Sequence, residues 1–314
     1  SYRSALLRIY RRRKAFASGI PYAAGVVAQA TSFIYREGVL CSMLEDTVTV
    51  VGVHGRYSGA ARCTVSLQGI TQALHIAALA GLDHGQVKFK LMNYCEGVLT
   101  LLCEPCRGYE GSSWIIALNV MHEQPNLLNC IGPLESTNKI FVRHTASYLC
   151  YGMHCSTGTH GHQEWKIRGV SLDGQRRSET FIQLEDFVGS DIGSTVSFEI
   201  HDGYFYAVSN QTSFEAEEVD WTSFYHCVRF PIHNMSREAL EVRRHIYRRQ
   251  HAEGPINDSW IDLSLQADEQ TNQLTIVEAR REWLNGGSEQ RRTFYTTPID
   301  FTQASGSSSM ATSS

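Results

Sequence analysis

The sequence predicts a mainly β fold assembled from a repeated unit. A tight turn followed by an apolar run recurs five times, and its turn positions are Gly38, Gly97, Ser147, Gly203 and Asn272. The steps between these positions are 59, 50, 56 and 69 residues. Short antiparallel strands that recur at about 40 to 60 residues are typical of β-propeller blades. We therefore predict a β-propeller-like array of about five four-stranded blades, with a short N-terminal helix and one or two helical insertions.

Helical periodicity is confined to three segments. Apolar residues at helical spacing predict a helix over residues 1–16, and the breaker "ASGIP" ends the pattern. A second helix is predicted over residues 69–82. A third is predicted over residues 236–249, where it accounts for the longest of the four steps.

Strands in a common order surround each turn. The strands before the turns begin at Ser32, Val87, Lys139, Thr195 and Ser259, and those after the apolar runs begin at Asp46, Ser112, His162, Thr222 and Arg291. A fourth strand is indicated in three units, beginning at Cys63, Leu127 and Thr180. We predict that Tyr22–Ala30 supplies the closing strand of the last blade, because the chain ends without one.

The alternative fold is a β-sandwich with accidental spacing. A sandwich does not predict five units with a common order of strand, turn, strand, loop and strand. The propeller interpretation divides the chain into a helix over 1–16, a propeller-like domain over 17–301 and a tail over 302–314. The tail is rich in Ser, Ala and Thr, and we expect it to be disordered.

The charge distribution argues against a nucleic-acid partner. The net charge is −4, and the residues before the first acidic one, Glu37, carry seven basic groups. The remaining 21 basic and 32 acidic groups give that part of the chain a charge of −11. An acidic body does not attract a polyanion, so we expect no DNA or RNA ligand.

No segment of the sequence indicates a membrane or an export signal. The longest apolar run is about ten residues, whereas a bilayer span needs roughly 20. The first residues lack the apolar core of a secretory signal, and the nine cysteines are odd in number. We therefore expect reduced thiols and an intracellular location. Because the chain begins with serine, we expect it to be part of a longer one.

The stretch "HDGYFYAVSN" contains the residue types of a catalytic triad. His201 and Asp202 adjoin each other, and Ser209 follows seven residues after Asp202. Asp202-Gly203 is, however, a strong hairpin signal. At about 3.3 Å per residue a hairpin carries Asp202 and Ser209 far apart, so we interpret Asp202 and Gly203 as structural turn residues. The same interpretation applies to Gly38, Gly97 and Asn272.

Three other clusters are weaker candidates for chemistry. The pair Cys103 and Cys106 has Cys-x-x-Cys spacing but no second pair to complete a zinc site. His154, His160 and His162 lie in a Gly- and Thr-containing stretch that is typical of a hairpin loop. The third cluster is acidic and contains Glu215, Glu217, Glu218 and Asp220. A solvated acidic segment is the simpler interpretation, so we expect no metal, no cofactor and no catalytic residue.

Partner-binding residues are predicted in the irregular connector from Tyr247 to Trp260. Its residues capable of specific contacts are Arg248, Arg249, His251, Glu253 and Asp258. The connector joins two predicted blades, and loops at a propeller face commonly carry binding sites. In the alternative interpretation these residues bond to each other and fix the loop.

Two long segments resemble a known family. The segments Asp191–Pro231 and Tyr247–Trp283, with the shorter Phe33–Cys41 and Ile140–His154, look like the C-terminal part of fungal F-box domain proteins. The resemblance covers nearly all of residues 1–301. It implies a propeller-like body acting as the substrate receptor of a cullin-type ubiquitin ligase. Residues 1–16 resemble the helix that links an F-box to this body, so a ubiquitin-ligase adaptor is an expected partner only where an F-box precedes the chain.

The sequence therefore favours a non-enzymatic protein-interaction domain that binds a protein substrate. The rival interpretation is a propeller glycoside hydrolase, which needs two facing carboxylates about 5 to 9.5 Å apart. A sugar-binding propeller without catalysis is the third possibility. Aromatic residues around a face pocket would favour that third interpretation over protein binding.

Overall fold

A computed structural model describes residues 2–21, 25–53, 63–76, 86–121, 125–158, 161–173, 180–211, 222–250, 256, 260–268, 270–283 and 287–301. Within them the chain forms five antiparallel sheets arranged as the blades of a β-propeller. The predicted fold class is therefore confirmed. Blades 1 to 4 have four strands each in simple up-and-down order, and blade 5 has three in the described residues.

Each blade is a meander, so strands that are consecutive in sequence pair with one another. Blades 1 and 2 contain β1 Ser32–Arg36, β2 Val39–Leu44, β3 Thr47–Gly52, β4 Cys63–Ser66, β5 Val87–Cys95, β6 Val98–Pro105, β7 Trp114–Asn119 and β8 Asn126–Ile131. Blades 3 and 4 contain β9 Ile140–His144, β10 Tyr148–Thr157, β11 Gln163–Ser171, β12 Thr180–Leu184, β13 Val196–His201, β14 Tyr204–Ser209, β15 Thr222–Pro231 and β16 Glu241–Gln250. Blade 5 contains β17 Asp262–Ala267, β18 Leu274–Trp283 and β19 Gln290–Pro298.

The first strand of every blade is the innermost one. Strand β1 packs beside β5, β5 beside β9, β9 beside β13, and β13 beside β17. The predicted turn positions all lie between the first and second strands. In three blades the turn is a two-residue turn with both residues at positive φ, as at Asp202 (47°) and Gly203 (76°). This conformation matches the twist of the flanking strands, which explains the Glu-Gly and Asp-Gly pairs.

In blades 3 and 5 a side chain stabilises the equivalent turn by accepting hydrogen bonds from backbone amides. In blade 3, Thr145 Oγ1 accepts hydrogen bonds from the Ser147 and Tyr148 amides at 3.3 and 3.2 Å. In blade 5, Asp268 accepts from the Thr271 amide at 2.8 Å, and Asn272 has a φ of 57°. A short side chain that replaces a backbone acceptor allows a turn without glycine.

Hydrophobic clusters join four pairs of neighbouring blades. One cluster packs blade 1 on blade 2, and three others pack 2 on 3, 3 on 4 and 4 on 5. The blade 3–blade 4 cluster contains a set of buried aromatic rings, in which Phe141 and Phe198 stack at 3.9 Å between centroids. Among the described residues, no such cluster joins blade 5 to blade 1.

Two α-helices flank the strands within the described ranges. The first, α1, spans Tyr2–Ser18, which agrees closely with the predicted helix over 1–16. It has no buried residue. The second, α2, spans Leu67–Ile76, whereas the sequence predicts 69–82. Residues 77–82 of that prediction and the tail 302–314 lie outside the described residues.

The predicted third helix over 236–249 is wrong. Only Arg237–Ala239 form a helical turn, of the 3-10 type, which Ser236 caps by accepting a hydrogen bond from the Ala239 amide. Strand β16 follows and pairs with β15 as the outermost strand of blade 4. The open edge of β15 offers backbone partners along ten residues, and this tertiary pairing outweighs the weak helix propensity of the segment.

The predicted closing strand is not formed by residues 25–30. These residues carry no strand and are exposed, with Val26 88% exposed. The remaining part of that prediction, residues 22–24, lies outside the described residues. The outer edge of β19 therefore has no neighbouring strand within the part of the chain that the structure describes.

Candidate functional site

The inner strands bring four polar side chains together near the propeller axis. Arg36 at the end of β1 donates to Glu199 of β13 at 2.9 Å and to Asn93 of β5 at 3.2 Å. Arg143 of β9 lies 3.8 Å from Glu199 and donates to the Phe198 carbonyl at 2.8 Å. We call Arg36, Asn93, Arg143 and Glu199 the axial cluster. It links the inner strands of blades 1 to 4.

The electrostatics of the axial cluster favour a structural role. Burial opposes the charge of Arg36, but the charge and hydrogen bond of Glu199 raise its pKa above the ordinary value. Burial lowers the pKa of Arg143, which has the same carboxylate as its counter-ion. Both oxygens of Glu199 face guanidinium groups, so this carboxylate joins the inner strands of blades 1, 3 and 4 through ion pairs.

Turn residues at the same end of the axis are also bonded across blades. The Glu37 carboxylate accepts from the Glu96 amide at 3.0 Å, and the Glu96 carboxylate accepts from the Ala146 amide at 2.7 Å. The ring of His201 contacts the Asn272 carbonyl at 2.8 Å. Each of these contacts joins one first hairpin to the next blade. The acidic residues of the turns therefore orient neighbouring blades.

The structure separates the residues of the apparent triad. His201 lies opposite Tyr204 at the turn, while Ser209 lies at the far end of β14, opposite Val196. The Ser209 hydroxyl donates to the Gln211 carbonyl at 3.2 Å. The hairpin interpretation of this stretch therefore agrees with the observed register.

A pocket of about 460 Å³ opens between blades 2 and 3. Its walls are formed by β8, the following loop, and the faces of β10 and β11; they include Ile131, Leu134, Tyr151, Met153 and Val170. Glu135 lies at this pocket and accepts from Lys166 at 2.8 Å and from Arg168. The hydrogen bond from Lys166 and the two positive charges lower the pKa of Glu135. The pocket thus presents an ionised carboxylate that its own walls already neutralise.

A second polar group is buried between blades 4 and 5. Glu278 of β18 is fully buried and accepts from Arg248 at 2.7 Å, from Arg280 at 2.7 Å and from the Tyr225 hydroxyl at 2.5 Å. Burial alone would raise the pKa of Glu278, but the hydrogen bond and charge of Arg248 and the charge of Arg280 lower it to about 2. A glycosidase general acid needs a raised pKa, so Glu278 does not suit that role.

The buried group contains Arg248, one of the predicted partner-binding residues. Arg248 lies in β16 rather than in an irregular connector, and it is 9% exposed. The alternative interpretation, in which the predicted residues make internal contacts, therefore describes Arg248. Arg249 also lies in β16, opposite Ser223, and is half-buried. His251, Glu253 and Asp258 lie outside the described residues, and their role in binding stays a prediction.

The remaining sequence candidates are dispersed. Cys103 is a buried residue of β6, where burial raises the pKa of its thiol to about 12, and Cys106 follows that strand. His154 lies in β10 against the Trp165 ring, whereas His160 is outside the described residues. The acidic cluster over 215–220 is likewise outside them. The described residues contain no group of three metal-ligating side chains close enough to hold an ion.

The largest exposed aromatic side chains of blade 1 lie on the face away from blade 2. Phe33 and Tyr35 of β1 are 67% and 51% exposed, although β1 is an innermost strand. Cross-strand pairing places Leu40 beside Tyr35 and Ser42 beside Phe33, and Leu44 follows on the same face. The opposite face of the blade contributes Cys41, Val48 and other buried residues to the blade 1–blade 2 cluster.

Blade 5 also has exposed side chains on its face away from blade 4, across the boundary from blade 1. Arg292, Phe294 and Thr296 alternate along β19 and are exposed, with Phe294 67% exposed. Arg281 of β18 lies directly opposite Arg292 and packs its guanidinium 5.3 Å from the Trp260 ring. The following residues are together called the seam surface: Phe33, Tyr35, Leu40 and Leu44 of blade 1, and Trp260, Arg281, Arg292, Phe294 and Thr296 of blade 5.

The sequence patterns described above do not predict the seam surface or the buried Glu278 group. Charged residues at 278, 280 and 282 recur with a period of two on the same strand face as Leu274 and Ile276. This alternation predicts that the three charged residues are buried with Leu274 and Ile276, because alternate residues of a strand share a face. The exposure of Phe33 has no such local signal, since it depends on what covers blade 1.

The N-terminal helix adds a further exposed apolar region. Tyr2, Leu6 and Ile9 are 82%, 50% and 51% exposed, and Phe16 is 77% exposed. Among the described residues, no helix has the length and apolar character required to cross a membrane.

Comparisons with known proteins give low similarity throughout. No protein-family model and no curated protein matches the chain. Among solved structures, a subtype N11 neuraminidase-like protein of A/flat-faced bat/Peru/033/2010 is 10% identical with a TM-score of 0.37, over 83% of this chain and 68% of that one. The catalytic domain of a GH62 α-L-arabinofuranosidase of Coprinopsis cinerea is 8% identical with a TM-score of 0.28, over 88% and 93% of the two chains. The WD40 domain of SCAP from fission yeast is 9% identical with a TM-score of 0.31, over 83% and 72%. Similarity at this level carries no argument about function.

Proposed function

We propose that this propeller is a protein-interaction domain and that its partner contacts the seam surface. The observation that carries the proposal is the exposure of Phe33, Tyr35 and Phe294 on two blade faces that no described cluster covers. Phe33 and Tyr35 lie two residues apart on the same strand face, and exposed apolar groups of this kind are typical of protein-binding sites. Aromatic residues with arginines beside them are also the types that contribute most to binding energy in protein interfaces.

The polar clusters elsewhere support this proposal, because they do not provide a group that is set up for catalysis. The axial cluster, Glu135 and Glu278 are each bonded to cationic side chains of the same molecule. At Glu135 and Glu278 these contacts lower the pKa of the carboxyl group, so neither is a general acid with a proton to donate. The exposed aromatic side chains, in contrast, have apolar surface that a partner could cover.

The finer proposal is the one implied by the resemblance to fungal F-box proteins. In it, the propeller holds a substrate protein for a cullin-type ubiquitin ligase, and α1 links the propeller to an upstream F-box. The exposed apolar residues of α1 support this proposal, because a preceding helical module would have a surface to pack on.

A comparative capture experiment tests the interaction proposal. We would compare the unmodified chain with the double variant Phe33→Ser/Phe294→Ser and with Phe181→Ser, which removes a 59% exposed aromatic residue of blade 3. We expect a set of cellular proteins to be retained by the chain and by Phe181→Ser and lost by the double variant. Identical sets for all three proteins would contradict the proposal.

The receptor proposal has a separate test. The chain would be expressed with the coding region upstream of Ser1 and purified from cells. Recovery of a ubiquitin-ligase adaptor is the expected result, and its loss when α1 is disconnected from the upstream region would support linkage through that helix. Failure to recover an adaptor contradicts the receptor role but leaves the seam proposal standing.

A further inference from the structure

Strand β19 exposes a backbone edge in register for another strand. The Ile299 amide donates to the Leu274 carbonyl at 2.9 Å, which places these two residues in a hydrogen-bonded pair. In an antiparallel ladder, hydrogen-bonded and non-hydrogen-bonded pairs alternate. Residues 291, 293, 295 and 297 therefore direct their backbone groups to β18. Arg292, Phe294 and Thr296 direct their amides and carbonyls to the outer edge.

The other four blades show what occupies this position. In each of them a fourth strand pairs with the outer edge of the third, as β16 pairs with β15 from Thr222 to Arg229. Blade 5 has no such strand in the described residues, and residues 25–30 of the N-terminal segment do not provide one. An unpaired row of amides and carbonyls is a template for strand addition.

The charge beside this edge selects an acidic occupant. Arg292 lies directly opposite Arg281, in a non-hydrogen-bonded pair, where side chains approach most closely. Like charges in such a pair are destabilising. Neither arginine forms an ion pair with a described residue, although the chain beyond Glu37 is strongly acidic. A carboxylate brought in by a partner would relieve this repulsion.

We propose that the edge of β19 binds an extended, acidic segment of a partner protein as the fourth strand of blade 5. The partner's backbone pairs with Arg292, Phe294 and Thr296, and its carboxylates face Arg281 and Arg292. Because alternate residues of a strand share a face, its apolar residues lie on the opposite face, level with Thr293 and Tyr295 of β19. This proposal names the class of partner for the seam surface and therefore rests on the proposed function. Arginines at an edge also discourage pairing with a second copy of the same basic strand.

The test uses a defined peptide and a variant that removes a single outward amide. The probe is a nine-residue peptide of alternating glutamate and valine, which matches the length of β19, and the control peptide alternates lysine and valine. Thr296→Pro removes an amide that β18 does not use, whereas Thr296→Val keeps that amide and removes only the hydroxyl. Binding is measured by fluorescence anisotropy, and amide hydrogen exchange reports protection of β19.

We expect the acidic peptide to bind and to slow hydrogen exchange at residues 292, 294 and 296. Thr296→Pro should weaken binding by about tenfold or more, since proline removes a donor and projects its ring into the edge. Thr296→Val should bind normally, and Arg292→Glu should lose the preference for the glutamate peptide, because the new carboxylate lies opposite Arg281 and neutralises it.

Three outcomes overturn the inference. Equal binding of the two peptides removes the charge argument, and normal binding by a folded Thr296→Pro variant removes strand addition. Protection of residues 292, 294 and 296 before any peptide is added would show that the chain's own segment fills the edge. In each case the proposed function stands if the capture of cellular proteins still depends on Phe33 and Phe294. If that capture does not depend on them, the proposed function is contradicted, whatever the result with the peptides.

Discussion

The boundary between blades 3 and 4 and the boundary between blades 5 and 1 use the same residue types with opposite exposure. Phe141, Trp165 and Phe198 are almost fully buried, with Trp165 packed edge-on against Phe198 at 4.8 Å. Phe33 and Phe294 are both 67% exposed. An aromatic residue in a propeller strand is therefore a core residue only where a neighbouring blade covers it. Substitutions at the two boundaries should therefore differ in their effect on stability and on binding.

Removing the central ring of the covered boundary should have the largest effect. Trp165 is fully buried, and its indole nitrogen donates to the Gly189 carbonyl at 2.9 Å. Trp165→Ala should lower the free energy of unfolding by about 3 to 5 kcal/mol, because it leaves a cavity between blades 3 and 4. Chemical denaturation measures the change. Phe181→Ala in the same blade is the control, and a loss of the same size there would contradict the assignment of burial.

Neutralising Glu278 should have the next largest effect. Glu278→Gln leaves the buried Arg248 without its counter-charge and leaves Arg280 with only Glu282, 3.6 Å away, which should cost about 3 kcal/mol. Glu135→Gln is the matched control, because Glu135 also joins two cations but is exposed, and its removal should cost at most about 1 kcal/mol.

The same carboxylate gives a pH dependence with a definite sign. The pKa of Glu278 is about 2 in the folded protein, below its ordinary value of 4.5. Ionised Glu278 therefore stabilises the folded state at pH values above 4.5. This contribution is lost as the pH falls from 4.5 toward 2. We expect the free energy of unfolding to fall across this interval and to fall less steeply in Glu278→Gln. Identical slopes in the two proteins would show that Glu278 is not stabilised as the ion.

A change at the turn of blade 4 should have an intermediate effect. Gly203 has a φ of 76°, and a β-carbon there would meet no other heavy atom within 4 Å. The cost of Gly203→Val is therefore one of backbone conformation alone, about 1 to 2 kcal/mol. Gly203→Asn should cost less, since asparagine tolerates positive φ. A folded Gly203→Val protein that lost an enzymatic activity would instead revive the interpretation of His201 and Asp202 as catalytic.

These regions also show what the sequence could predict. The turns at Gly38, Gly97 and Gly203 depend on local chemistry, and their spacing was sufficient to predict the propeller and its order of strands. Strand β16 was mistaken for a helix because its partner, β15, determines its conformation. The burial of Glu278 and the exposure of Phe33 depend on contacts between blades. Composition and periodicity contain the information about local turns, but only part of the information about contacts between strands and between blades.

The smallest effect is expected at the uncovered boundary, and it is the most informative for function. Phe33→Ser should change the free energy of unfolding by no more than about 0.5 kcal/mol, because a side chain that is 67% exposed gains little from folding. Phe198→Ser, at the equivalent level of the inner strand in blade 4, should cost several kcal/mol because that ring is 1% exposed. If Phe33→Ser proved as costly as Phe198→Ser, blade 5 would pack on blade 1 in solution, and Phe33 would stabilise the closed ring. A small cost combined with loss of partner capture would instead mean that Phe33 contributes its apolar surface to binding.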